Sequence, residues 1–286
     1  MKLSIPLIFL FCFVRAHSFA QQPDTVVAGA SFGWTHNLVS GLTLTQVSYT
    51  NWVQGGENSL AWTASLEGKS VDDEQTLNWS NAYKLAFGQA RLGGQGLRKT
   101  DDKIDLETIL TYKVGTFVNP YGAATFKSQF AKGFTYDAAG NKTEVSNFLD
   151  PAYLTQSVGV GYQPIPQVKT RLGAALREIV TSKFTGYADD PSTSDVEKVK
   201  IEGGMESVTN VEWLMYEDLL LTSKLELFSA FKKLDEVIIR SDNTISAKVN
   251  KYISVNFNVQ LINERQASPH TQVKETLAIG FSYTLL

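Results

Sequence analysis

Cysteine is almost absent from this sequence, since Cys12 is the only one. It lies in the N-terminal stretch MKLSIPLIFLFCFVRAHSFAQQP, which combines Lys2, a short apolar run and a small-x-small sequence before Gln21. This pattern predicts a secretory signal peptide over residues 1–20. Removal of that peptide would leave a mature chain with no cysteine, and therefore no disulfide, thiolate metal site or cysteine nucleophile.

Long apolar runs and a basic charge excess are also missing. No stretch of about 18 apolar residues follows the predicted signal peptide, so we expect no membrane helix. The chain has 26 Lys and Arg against 29 Asp and Glu, a net charge of -3. A chain of that sign has no overall attraction to nucleic acid, and we expect no nucleic-acid partner.

The sequence instead shows a strong period-two alternation, which is typical of β-strands. The segment KYISVNFNVQLIN, 251–263, places apolar side chains at odd positions from Ile253 to Leu261 and polar ones between them. The C-terminal segment TLAIGFSYTLL repeats the pattern, and its β-branched and aromatic content also favours strands. An all-β protein is therefore predicted.

We predict twelve strands, most of them longer than the usual globular strand and long enough to cross a bilayer at a tilt. A bulge is expected near Ser207-Val208, where the alternation changes phase. The predicted strands are 39–50, 58–68, 75–88, 103–114, 121–131, 153–162, 167–180, 198–215, 218–231, 236–249, 251–263 and 274–285.

The connections between these strands alternate in length. Those after even-numbered strands are short, whereas those after odd-numbered strands are mostly long, with KKLD as an exception. An up-and-down outer-membrane barrel has this asymmetry, with short periplasmic turns and longer outer loops. We therefore predict a transmembrane antiparallel barrel over residues 39–286, preceded by a periplasmic lead-in over 21–38. If Phe32 and Trp34 began a further strand, the count would become odd.

In such a barrel the apolar face meets lipid and the polar face lines the lumen. A secreted β-sandwich or lipocalin-like binding protein would present the same polar face to water, and that alternative remains open at this stage. The aromatic-rich last strand and the predicted export favour the barrel. The predicted lumen residues are Lys84, Glu107, Arg171, Arg177, Lys224, Glu226 and Lys248.

Little in the sequence predicts catalysis or metal binding. His36 and His270 have no neighbour at metal-ligand spacing, and no recognisable motif surrounds His270 beside Ser268. We predict no catalytic residues, no metal site and no cofactor. A barrel enzyme that acts at the outer rim remains the alternative to a non-enzymatic channel or a structural, lipid-associated barrel. The sequence does not identify the solute or ion.

The stretch NWVQGGENSLAW, 51–62, is predicted to form the first outer hairpin. Glycine permits the positive φ of a tight turn, and a tryptophan suits the membrane interface. The hairpin could also bind a ligand at its tip. The candidate tip residues are Trp52, Gln54, Gly55, Gly56, Glu57 and Asn58.

Two stretches resemble an uncharacterised family of Bacteroidota outer-membrane proteins, domain of unknown function 3078. They are Thr50-Asn51-Trp52 followed by Gly55 to Ser59, and Lys248 to Asn256. The chain departs from the family at LINE, 261–264, where the family tends to show LIYD. The resemblance implies an outer-membrane β-barrel and no particular activity. The partners expected for such a barrel are outer-membrane lipid and, during biogenesis, the barrel-assembly machinery.

Overall fold

The computed structural model describes residues 32–49, 57–137, 139–190, 192–265 and 268–285. Twelve antiparallel strands close into a barrel in the order β1-β14-β13-β12-β11-β10-β9-β8-β5-β4-β3-β2. The barrel strands are β1 (Gly33–Val47), β2 (Ser59–Asp73), β3 (Leu77–Leu92), β4 (Arg98–Tyr112), β5 (Val118–Ser128), β8 (Ala152–Ile165), β9 (Val168–Val180), β10 (Val199–Tyr216), β11 (Leu219–Ala230), β12 (Val237–Lys248), β13 (Ile253–Asn263) and β14 (Gln272–Thr284). The predicted all-β barrel of twelve strands is confirmed.

The first strand begins earlier than predicted. Gly33 already pairs with Asp73, and the β1–β2 ladder continues without a break to Val47 and Ser59. The boundary at residue 39 was therefore wrong, because residues 33–38 form the start of β1. Phe32 and Trp34 add no extra strand, and the barrel keeps an even count. The signal peptide and the rest of the lead-in lie outside the described residues.

Two short strands and one helical turn lie outside the barrel wall. The hairpin β6 (Gly133–Tyr136) and β7 (Lys142–Ser146) forms within the connection from β5 to β8. A 3-10 helix, Thr185–Tyr187, lies in the connection from β9 to β10. Neither element was predicted. Among the described residues, no helix is long and apolar enough to cross a membrane.

The two ends of the barrel differ in their connections, as the alternation of loop lengths predicted. At one end the turns span only residues 74–76, 113–117, 166–167, 217–218 and 249–252. Asn250 closes the last of these, since its side-chain oxygen accepts the backbone N–H groups of Tyr252 and Ile253. We call this the short-turn end, and the opposite one the long-loop end. The β3–β4 connection at the long-loop end is only 93–97, because both strands extend beyond their predicted limits.

The outer surface of the barrel is strongly apolar. In β14, Leu277, Ile279 and Phe281 are 60%, 63% and 65% exposed, whereas Ala278 and Gly280 between them point to the lumen and are half-buried. Val158 on β8 and Ile201 on β10 are similarly exposed. Soluble monomers rarely expose contiguous apolar surface on this scale.

The bulge predicted in β10 near Ser207-Val208 was wrong. The register of β10 with both neighbouring strands is continuous there, and its irregularity falls between Leu214 and Tyr216. The change of phase has another cause. Val208 points into the lumen and is only 1% exposed, while Ser207 and Thr209 lie on the outer face. At this point the apolar side chain faces the lumen and the polar ones face outward, while the backbone pairing stays regular.

Candidate functional site: the barrel lumen

Ion pairs that reach across the barrel identify its inner face. Glu107 on β4 accepts a hydrogen bond from Arg171 on β9 at 2.8 Å and one from Lys224 on β11 at 2.9 Å. These strands are not neighbours in the barrel, so the three side chains meet inside the lumen. The alternation of each strand then places every second residue on the same inner face.

The first network surrounds Glu107. Arg171 also pairs with Glu206 at 3.4 Å, and Lys224 pairs with Glu226 at 3.1 Å. Glu226 in turn is bound by Lys127 from β5. Each carboxylate therefore faces at least one cation, as buried charges require.

A second network lies nearer the long-loop end. Glu264, which follows β13, pairs with Arg177 and, at 2.8 Å, with Arg240. Arg177 also pairs with Glu202 at 3.4 Å. The ring of Tyr153 lies 5.2 Å from the guanidinium of Arg240 and 5.7 Å from that of Arg177, within reach of a cation–π contact.

A cavity of about 50 Å³ lies between the two networks, lined by side chains of both and by the neighbouring wall. That volume suits a few water molecules and is far below that of a typical small-molecule pocket. The two networks therefore act as one packed block.

One ion pair outside the two networks spans the lumen and separates it into halves. Lys103 on β4 and Asp242 on β12 are 3.3 Å apart, and these strands stand on opposite sides of the ring with five strands between them in either direction. We call the inner faces of β5, β8, β9, β10 and β11 the packed half. The inner faces of β13, β14, β1, β2 and β3 form the open half.

The two halves differ in burial away from the short-turn end, where Lys169 and Glu212 of the packed half are also exposed. Inward side chains of the packed half are largely closed off from water; Ser157, Arg177, Arg171 and Ala175 are 4%, 5%, 6% and 7% exposed. In the open half, Glu67 and Lys69 point inward from β2 and are exposed, and Ala278 and Ser282 of β14 are half-buried. Water can therefore reach the wall of the open half.

Residue size explains this difference. The packed half projects long charged side chains from several strands toward a common centre. The open half is lined mainly by small or hydroxyl- and amide-bearing side chains, which leave space beside the wall. Its inward residues include Gly41, Thr43, Ala61, Thr63, Ser65, Ala82, Ala86, Asn256, Asn258, Thr276, Ala278 and Gly280.

The predicted lumen residues fall into three groups. Glu107, Arg171, Lys224 and Glu226 meet in the first network, and Arg177 lies in the second. Lys84 lies on the inner face of the open half, opposite Glu67 and Asp105 on the neighbouring strands. Lys248 ends β12 at the short-turn end and is exposed, away from both networks.

The sequence did not single out several residues of these networks. Lys103, Lys127, Glu202 and Glu206 all lie at inward positions of predicted strands, so strand phase could have found them. Glu264 follows the end of β13, and strand alternation carries no signal there. It does occupy the end of the LINE stretch, where the chain departs from the family pattern.

Most of the predicted hairpin tip lies outside the described residues, including Trp52, Gln54, Gly55 and Gly56. Asn58 is described, and its side-chain oxygen accepts the backbone N–H of Tyr49 at 2.7 Å. Its carbonyl oxygen accepts the N–H of Gly93 at 2.7 Å and so ties this hairpin to the β3–β4 turn. Glu57 lies against Gly93, whose φ is +55°. These contacts give Asn58 a structural role.

The connection from β5 to β8, residues 129–151, lies at the long-loop end and is held there by specific hydrogen bonds. Asp102 accepts the backbone N–H groups of Phe130 and Ala131 at 2.7 and 2.9 Å. Asp150 accepts those of Ser182 and Lys183 at 3.0 and 2.8 Å, which joins the connection to the one after β9. We call the two joined connections the outer cap.

Within the outer cap, Lys183 donates to Glu144 at 2.8 Å. This hydrogen bond lowers the pKa of the Glu144 carboxyl, and nearby Lys132 acts in the same direction. The carboxylate is therefore held in its charged form. The attraction is present above the ordinary pKa of glutamate and is lost as pH falls through the lowered value.

Neither of the two described histidines, His36 and His270, lies beside all the parts that acyl transfer needs. Ser268 and His270 contact each other only through the backbone of the histidine. On the outer surface, the Nδ1 atom of His36 lies 2.9 Å from the Ser70 hydroxyl, and that hydroxyl lies 2.7 Å from Tyr83. Strand β2 is paired on both sides at Ser70, so no free pair of backbone N–H groups is available there for an oxyanion. Within the described ranges, no group of three metal-ligating side chains occurs.

Comparison with solved structures finds outer-membrane barrels at low similarity. The chain is similar to the translocator domain of the autotransporter NalP from Neisseria meningitidis, at 8% identity with a TM-score of 0.40 and 91% of each chain covered. It is also similar to an outer-membrane channel from Pseudomonas putida F1, at 11% identity and a TM-score of 0.41, with 90% of this chain and 96% of that chain covered. The NanC porin gives 10% identity and a TM-score of 0.41, with 87% and 100% covered.

No curated protein matches this sequence. Residues 44–134 match the model of a family described as protein of unknown function, DUF3078. This segment runs from within β1 to the start of β6 and includes the first of the two stretches that carried the resemblance; the second, 248–256, lies outside it. The Bacteroidota origin stays a prediction. The predicted resemblance to this uncharacterised family is confirmed over residues 44–134.

Proposed function

We propose that this protein is a non-enzymatic outer-membrane β-barrel that forms a narrow passage for small polar solutes. The apolar outer surface supports the membrane location. A soluble barrel such as a lipocalin needs an apolar interior and a polar exterior, whereas this barrel has ion pairs inside and leucine, isoleucine and phenylalanine outside. Two separate sheets of a sandwich are excluded by the closed ring of strands.

The contrast between the two halves of the lumen is the observation that supports a passage. A barrel filled evenly by long side chains would be closed, as in small eight-stranded barrels. Here the long charged side chains gather on one side of the Lys103–Asp242 pair. The other side keeps exposed charges and small side chains on its wall. The passage we propose therefore runs off-centre, along β13, β14, β1, β2 and β3.

Cysteine labelling in a planar bilayer tests the passage directly, because the predicted mature chain has no native cysteine to interfere. Ala278→Cys places a thiol in the open half. We expect a water-soluble, charged methanethiosulfonate reagent to reduce the conductance of this variant markedly, since the added group narrows an already narrow path.

Two matched alanines provide the controls. Ala175 points into the packed half and is 7% exposed, and Ala174 beside it lies on the outer face. Conductance of Ala175→Cys and Ala174→Cys should not respond to the reagent. A silent bilayer with folded protein would refute the passage and leave a structural barrel. Equal block in all three variants would refute its off-centre path.

A further inference from the structure

Charges of opposite sign alternate around one level of the inner wall. Glu67, Lys84, Asp105 and Lys127 are directly opposite one another on the adjacent strands β2, β3, β4 and β5. Cross-strand neighbours of this kind have Cβ atoms about 4.5–5.5 Å apart. The wall therefore presents a row of alternating charges that begins in the open half and ends in the packed half.

The four charged side chains of this row differ in whether they form ion pairs. Lys127 is bound by Glu226 and lies 3.9 Å from Asp105, so these two charges belong to the packed block. Glu67 and Lys84 form no ion pair within 4.0 Å among the described residues. Glu67 is exposed and Lys84 half-buried. One anion and one cation thus face the passage side by side.

The surroundings of this pair add charges of both signs as well as hydrogen-bonding groups. Lys69 points inward from β2 two residues from Glu67, and Asp105 lies opposite Lys84 on β4. Across the lumen, Asp242 is already compensated by Lys103 and accepts a hydrogen bond from the Asn258 amide at 2.6 Å. Ser65 lies on the inner face of β2, two residues from Glu67. A wall with compensated charges exerts little net field on an ion of either sign.

We propose that the passage favours small zwitterionic solutes of the amino-acid type over simple ions of one sign. This inference rests on the proposed function, since it requires a conducting barrel. An ammonium group would face Glu67 while a carboxylate of the same molecule faces Lys84. An ion of one sign meets one attractive and one repulsive neighbour.

The test combines ion selectivity with solute flux. In a planar bilayer under a potassium chloride gradient, we expect a reversal potential near zero for the unaltered protein. Glu67→Gln should shift the selectivity toward anions and Lys84→Gln toward cations. In liposome swelling, alanine should enter faster than an uncharged solute of similar size, and each single variant should abolish that advantage.

The control is Glu275→Gln, because Glu275 lies on the outer face of β14 and is exposed there. It should change neither the selectivity nor the swelling rate. Strong selectivity for one ion in the unaltered protein, or an alanine advantage that survives both variants, would overturn the inference while leaving the channel intact. A barrel that is folded, as shown by its migration before and after boiling, but does not conduct would instead overturn the proposed function.

Discussion

At the scale of single residues, the lumen depends on side chains that each hold two partners. Glu107 holds Arg171 and Lys224, and Glu264 holds Arg177 and Arg240. Removal of such a carboxylate leaves two cations facing each other where water has little access. The loss therefore exceeds that of an ordinary surface ion pair.

Glu264→Gln tests this directly. The substitution keeps the size of the side chain but removes the charge that compensates Arg177 and Arg240. Breaking a buried ion pair typically costs about 3–5 kcal/mol, and we expect an effect toward the lower limit because Arg177 keeps its pair with Glu202. Urea titration of the barrel refolded into lipid vesicles measures it.

Glu275→Gln is the matched control for this prediction, as it removes a charge from the exposed outer face of β14. We expect its free energy of unfolding to stay within about 0.5 kcal/mol of that of the unaltered protein. Equal effects of the two substitutions would show that Glu264 does not hold the second network together.

At the scale of structural elements, the outer cap is fastened to the barrel wall at specific points. Asp102 at the outer end of β4 holds the chain at Phe130 and Ala131, and Lys99 beside it donates to the Ala131 carbonyl at 2.9 Å. The guanidinium of Arg98 lies 4.0 Å from the Tyr136 ring. One strand end thus supports the hairpin of β6 and β7.

Asp102→Ala should loosen this hairpin without unfolding the barrel. The substitution removes the acceptor of two backbone N–H groups, and a typical intramolecular hydrogen bond contributes about 0.5–1.5 kcal/mol to stability. We expect faster cleavage by an external protease between β6 and β7, measured by limited proteolysis of reconstituted protein.

Asp73 at the short-turn end offers a control, since its side chain pairs with Lys113 at 2.8 Å, far from the outer cap. Asp73→Ala should leave the cleavage rate of the hairpin nearly unchanged. If both variants are cleaved at the rate of the unaltered protein, Asp102 is not what holds the cap.

At the scale of the whole molecule, the apolar outside and charged inside belong to one arrangement. Every barrel strand alternates, so each strand contributes to both surfaces at once. The ring has no free edge strand, which satisfies the backbone hydrogen bonds that lipid could not. The barrel is accordingly expected to require a bilayer or detergent.

Leu277→Arg tests that expectation. Leu277 lies near the middle of β14 on the outer face, and arginine at the bilayer midplane costs about 2–4 kcal/mol in a transmembrane barrel. Leu285→Arg, just beyond the end of β14, should cost no more than about 1 kcal/mol because it lies near the interface. Refolding into lipid vesicles with a urea titration measures both.

Equal losses in free energy of unfolding for Leu277→Arg and Leu285→Arg would contradict the membrane location. A protein that stays soluble and folded without detergent would contradict it as well.

The sequence predicted the barrel wall more completely than the contacts inside the lumen. All twelve barrel strands were predicted, because alternation is a local property that each segment carries by itself. The boundary of β1 was missed, since His36 interrupts the apolar outer face between Trp34 and Leu38. The short hairpin in the outer connection was missed because β6 and β7 are too short to show a period.

The sequence alone determined the class of fold, the number of barrel strands, the difference between the two ends and several of the charged positions that face inward. These follow from period-two patterning and from the order of strands and loops. Only the tertiary structure decided which charges meet. Ion pairs such as Lys103–Asp242 join residues that are far apart in the chain, so closure of the ring alone brings them together, and with them the division into a packed and an open half.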